Sequence, residues 1–114
     1  MFTVIIDKLK VRTFIGVNLN ERKKKQILHV SIKFSYNIKK KSNIDNINNL
    51  ISYSEVIKFI KHYIESSRFK TLEKLIMESK NELNKNFQIK NLSVRISKPI
   101  IAKKLESNSI SVTK

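Results

Sequence analysis

The sequence predicts an α+β domain: a four-stranded antiparallel sheet with two helices on one face, in the order β-β-α-α-β-β. Three observations carry this. Apolar and polar residues alternate in two segments near the start and two near the end, the period of strands with one buried face. In the middle, apolar residues recur at i, i+3, i+4, i+7 and i+8, the period of an amphipathic helix. No internal repeat or compositional break divides the 114 residues, so 1–114 are expected to form one domain. Such a domain hides roughly two-thirds of its unfolded surface on folding.

The elements follow in order. Phe2, Val4 and Ile6 mark the first strand; Leu28, Val30, Ile32, Phe34 and Tyr36, alternating with His29, Ser31, Lys33 and Ser35, mark the second. Between them FIGVNLNERKKKQ holds the chain's one glycine and a charge run, and reads as a loop with room for a helical turn. Asn37 to Asn49 is polar, without sustained period, and reads as a long connection. Ser52 and Glu55 then have the S-x-x-E spacing of a capping box, in which the hydroxyl and the carboxylate satisfy free amides at a helix start. Val56, Phe59, Ile60, Tyr63 and Ile64 form that helix's apolar stripe, and Ser66, Ser67 and Arg68 end it. Leu72, Leu75, Ile76, Ser79 and Leu83 lie on one face of a second helix, with Lys74, Lys80 and Lys85 largely elsewhere. Leu92, Val94 and Ile96, then Ile110 and Val112, alternate with polar residues and supply the last two strands. The outer face of the sheet is polar without being charged throughout, and its two edges need pairing or protection.

Composition removes many functions. One glycine cannot build a Walker or dinucleotide phosphate loop, each of which needs several. With no cysteine there is no disulfide, thiol nucleophile, iron–sulfur cluster or thiolate zinc site, and two histidines cannot make a three-histidine zinc site. Catalysis here must use carboxylates, Lys, Tyr or hydroxyls. No apolar run reaches membrane-spanning length, and MFTVII, broken by Asp7, does not read as a signal peptide, so a cytoplasmic location is expected. The net charge of +15 invites a polyanion partner. The excess is nearly all lysine, in a chain also crowded with Ile and Asn, which fits compositional drift of a solvated surface better than phosphate reading by arginine.

At this point the motifs resemble dihydroneopterin aldolase and its close relative dihydroneopterin triphosphate 2′-epimerase, both of the tunnelling fold. KLKVRTFIGV, the E-x4-Q element from Glu21 to Gln26, NLISYSEV around Tyr53, RFKTLEKL around Glu73, and Ser97-Lys98-Pro99 occur in the family's order, on the matching strands and helices. The resemblance implies a retro-aldol reaction. Dihydroneopterin loses two carbons as glycolaldehyde and leaves 6-hydroxymethyl-dihydropterin for folate synthesis. The dihydropterin's own C=N bond is the electron sink, so the resemblance implies neither a metal, nor a cofactor, nor a lysine Schiff base.

The family's pattern assigns roles by position. Lys98 matches the general acid/base that acts on the side-chain hydroxyl through a water, a task that needs an amine tuned from about 10.4 toward neutrality. It follows a strand and precedes the chain's one proline. Glu73 matches the carboxylate that takes the amino-pyrimidinone edge in a bidentate pair, with the backbone of Leu72 beside it; a bare helix-start charge is the competing role. Tyr53 matches a tyrosine that reaches the substrate from a neighbouring subunit and relays a proton; Glu21 matches the acid near the side-chain hydroxyls. His29 and His62 read as surface residues of a strand and a helix. Sites shared between subunits imply a homo-oligomer of four or eight chains. IIAKKLESNS, after Lys98-Pro99, is more charged than the loop expected there.

Two alternatives stand. KVRTFIGV and SRFKTLEKL lean to the epimerase branch, whose triphosphate substrate suits a lysine-rich surface, whereas SKP leans to the aldolase. A non-enzymatic nucleic-acid module would want aromatics among basic residues on the open sheet face. Phe34 and Tyr36 fall on the apolar side, against that reading.

Overall fold

The computed structural model describes residues 1–38, 45 and 50–114. The elements are β1 (Phe2–Thr13), α1 (Leu19–Arg22), β2 (Gln26–Tyr36), α2 (Tyr53–Ser66), α3 (Leu72–Asn86), β3 (Lys90–Ser97), α4 (Pro99–Lys104) and β4 (Ser111–Thr113). The strands form one sheet in the order β1-β2-β3-β4, each neighbouring pair antiparallel. The expected α+β arrangement of four antiparallel strands with two main helices is the one present, and α1 and α4 are short additions. Most of the long polar connection after Tyr36 lies outside the described residues.

Alternation decides which face of the sheet is buried. Leu28, Val30, Ile32 and Phe34 of β2 and Val94 and Ile96 of β3 are at most 1% exposed, while His29, Ser31, Arg95 and Ser97 between them point the other way. Over the apolar face α2 packs on β1 and α3 on β3. They bring Val56, Ile60 and Ile64 from one helix and Leu72, Leu75, Ile76 and Leu83 from the other. Each such side chain, fully buried, contributes about 1.5–3 kcal/mol. Phe59 stacks on Tyr63 and meets Phe87 edge to face at 5.6 Å between centroids, joining α2 to the end of α3. Burial, with Glu78 and Glu82 of α3 opposite, pushes the Tyr63 hydroxyl above the usual tyrosine range.

The helix starts are set by side-chain caps. Ser52 accepts from the Glu55 amide and Thr71 from the Lys74 amide, each satisfying one of the free first-turn donors. α4 begins at Pro99, whose fixed φ suits a first helical position and whose missing N–H costs nothing there.

β1 contains a bulge. Ile6 pairs with Ile32 and Leu9 with Val30, so Asp7 and Lys8 together oppose Ser31 alone. Past the bulge the buried parity switches from Val4 and Ile6 to Leu9, Val11 and Thr13. Buried Thr13 donates to the Ser67 carbonyl, tying the end of β1 to the end of α2. Among the described residues no helix is long and apolar enough to cross a membrane.

Candidate active site

The β1–β2 connection and the β3–α4 junction meet beside the sheet and enclose a cavity of about 480 Å³, a volume typical of small-molecule sites. Glu21 and Lys98 line it, and Lys98 Nζ donates to Glu21 Oε2 at 3.4 Å. These residues are 77 positions apart. Their side chains are 15% exposed for Lys98 and 30% for Glu21, so the pair is open enough to reach a ligand and sheltered enough to hold one geometry.

Glu21 is held by Asn18 and Lys98 and packs against Gly16. Asn18 caps α1: its side-chain oxygen accepts from the Glu21 amide at 2.9 Å, and its side-chain amide donates to Glu21 Oε1 at 2.9 Å. Gln26 at the start of β2 donates to the backbone carbonyls of Ile15 and Glu21, which braces the loop at both ends. Arg22 donates to the carbonyls of Gly16 and Val17, both at 3.0 Å. Gly16 itself has φ +153, and a Cβ there would collide with the Glu21 Cβ and come within 3.1 Å of its carboxylate. The chain's one glycine therefore stands where the acid packs against the backbone.

Lys98 is fixed through its main chain. It caps α4, its amide donates to the Ile110 carbonyl at 3.2 Å, and its carbonyl accepts from Ala102 at 3.1 Å. The result is a cation at a rigid strand-to-helix corner with one carboxylate within reach. Chemically, the pair can orient a hydroxyl and carry a proton between it and a water.

The family profile of FolB, dihydroneopterin aldolase, matches residues 4–113. The chain belongs to this family. The dihydroneopterin aldolase of Haemophilus influenzae is 30% identical over 99 residues, which cover 87% of this chain and 84% of that protein. The dihydroneopterin triphosphate 2′-epimerase of Pseudomonas aeruginosa is 26% identical over 112 residues, 98% of this chain and 91% of its own. The fold is that of solved aldolases: the Escherichia coli enzyme in complex with neopterin superposes with a TM-score of 0.86, at 23% identity, over 100% of this chain and 99% of that one. This is the tunnelling fold, and the relatives matched here are named as aldolases of dihydroneopterin and epimerases of its triphosphate.

Within this FolB chain the expected site residues divide into two groups. Glu21 and Lys98 converge in the cavity. Tyr53, Leu72 and Glu73 do not line it: Tyr53, the first residue of α2, is 62% exposed; Glu73, in the first turn of α3, is also exposed; Leu72 is buried in the core. His29 lies on the outer face of β2 and His62 on the exposed side of α2, as surface residues. Sequence reasoning passed over Gly16 and Asn18, which set the Glu21 geometry, and Lys24, Lys25 and Lys104, which line the same cavity. A lone glycine five residues before a motif acid was the available signal for the first. The lysines showed only as parts of two charged stretches, ERKKK and IIAKKLESNS, with nothing in the sequence to bring them together.

Proposed function

We propose that this FolB chain cleaves 7,8-dihydroneopterin by retro-aldol reaction to 6-hydroxymethyl-7,8-dihydropterin and glycolaldehyde, without a metal or a covalent lysine intermediate. The observation that carries the reading is the Glu21–Lys98 pair in a small-molecule cavity. Lys98 removes the proton of the second side-chain hydroxyl through a water; the bond between the first and second side-chain carbons breaks, and its electrons enter the ring C=N bond. The released two-carbon aldehyde takes the new C=O. The first side-chain carbon then regains a proton, relayed by Tyr53 of a neighbouring copy. Glu21 holds the hydroxyls, and Glu73, with the Leu72 backbone, takes the amino-pyrimidinone edge.

Tyr53 and Glu73 are exposed and outside the cavity, which supports a site completed between copies in a homo-oligomer of four or eight chains. A second reading has its own observation. Lys24, Lys25 and Lys104 surround the pair, and among the described residues none of them pairs with a carboxylate, a setting that suits the phosphates of a 2′-epimerase substrate. Incubation with dihydroneopterin and with its triphosphate, followed by chromatography of the pterins, separates the readings. Glycolaldehyde release from dihydroneopterin is expected; inversion of the triphosphate's second side-chain carbon as the faster reaction favours the epimerase, and no conversion of either rejects both.

A further inference from the structure

The outer face of the sheet holds a second concavity, of about 450 Å³, lined by Asp7, Lys8, His29, Ser31, Arg95 and Ser97 and bordered by the connection at 108–110. None of these residues lines the Glu21–Lys98 cavity, and the proposed chemistry uses none of them.

The β1 bulge builds it. In a regular pleat Asp7 and Lys8 would point to opposite faces. With two residues set against Ser31, and Lys8 at φ 53, both line the same hollow. Ser31 fastens the arrangement: its hydroxyl accepts from the Lys8 amide at 3.0 Å and donates to Asp7 Oδ1 at 3.1 Å. Register brings the other donors alongside, since Ser31 faces Arg95 and His29 faces Ser97 across β2 and β3. Arg95 Nε donates to Ser111 Oγ at 3.2 Å, which aims the guanidinium and leaves its two terminal nitrogens for another partner. Among the described residues neither Arg95 nor Lys8 makes an ion pair.

We propose that this hollow is a separate binding site for the phosphate monoester of a small polyhydroxylated molecule. A guanidinium fork and a nearby ammonium match a phosphate dianion, and the serine hydroxyls and the imidazole add donors. Asp7 has an oxygen beyond the one Ser31 occupies, and it takes a hydroxyl of the organic body. The volume exceeds what a bare phosphate fills and lies in the range of about 300–1,000 Å³ for small-molecule sites. No aromatic side chain lines it, so a nucleic-acid base has no ring to stack on.

The test is calorimetric titration of the intact protein, at fixed ionic strength, with ribose 5-phosphate, inorganic phosphate and ribose. Saturable binding of one ribose 5-phosphate per chain is expected, weaker for inorganic phosphate and absent for ribose. Arg95→Gln, at an exposed position that tolerates the change, weakens it by roughly tenfold or more, the worth of a charge-assisted contact. Lys8→Asn, whose new residue accepts positive φ, weakens it too. Lys104→Ala, in the other cavity, leaves it within about twofold. No saturable binding, retention of affinity in Arg95→Gln, or an equal loss in Lys104→Ala each overturns the proposal.

Discussion

Lys98 and Glu21 test the chemistry most directly. Lys98→Ala removes the group assigned to proton transfer, so turnover falls by about 10²–10⁴-fold while pterin affinity stays within a few-fold, read by steady-state kinetics beside equilibrium binding. Unchanged turnover rejects the assignment. Gly16→Ala acts on Glu21 at one remove. A methyl at φ +153 strikes the Glu21 side chain, and the carboxylate is driven from Lys98. Displacement on the order of 1 Å costs up to about a hundredfold in rate, so this variant is expected to fold yet turn over roughly ten- to a hundredfold more slowly; wild-type kinetics would mean that Glu21 is not held by this contact. Glu73→Gln replaces one acceptor with a donor facing a donor edge. Loss of pterin binding is expected, and affinity kept within a few-fold reduces Glu73 to a helix-start charge.

At the scale of elements, Ser79 is the misfit. It sits in the buried stripe of α3 with Leu72, Leu75, Ile76 and Leu83, is 0% exposed, and among the described residues its hydroxyl has no hydrogen-bond partner. An unmet buried hydroxyl costs about 1–3 kcal/mol, and Ala is also the better helix former. Ser79→Ala is therefore expected to stabilise the chain by about 1 kcal/mol in urea unfolding, and a loss of stability would place an unseen partner on the hydroxyl. That stripe was legible in sequence because helical period and burial coincide at all five positions, Ser79 included. The Ser52–Glu55 cap was legible for a similarly local reason. β1 was legible only to Ile6: the bulge reverses the parity, so Leu9, Val11 and Thr13 fall out of phase with Val4 and Ile6, and no period-2 scan joins them. α4 went unread because IIAKK after Pro99 offers too few residues for a helical period. The site divides the same way. Lys98 and Glu21 were found through their motifs, whereas their meeting across 77 positions depends on sheet register, and the Gly16 contact depends on a positive φ whose one sequence cue is the glycine itself.

For the whole molecule the question is whether Tyr53 and Glu73, neither of which lines the cavity, complete it from another copy as proposed. The four-stranded sheet ends in β1 on one side and the three-residue β4 on the other. Among the described residues these two strands are the edges where a neighbouring chain could pair, and β1 runs for 12 residues. Exposed Tyr53, at 62%, and Val17 and Leu19, just before and at the start of α1, at 73% and 68%, add apolar surface that a neighbouring copy could cover. Closed rings use one repeated contact to satisfy every edge, and a shared site then follows if the neighbour's α2 start meets the Glu21–Lys98 cavity. Light scattering is expected to give four or eight times 13.4 kDa. Subunit exchange tests the sharing itself. Tyr53→Phe and Lys98→Ala chains, each nearly inactive alone, regain activity when mixed, because some interfaces then combine an intact Tyr53 with an intact Lys98 from different chains. If both residues act within one chain, mixing restores nothing; a fully active monomer removes the ring and the shared site together.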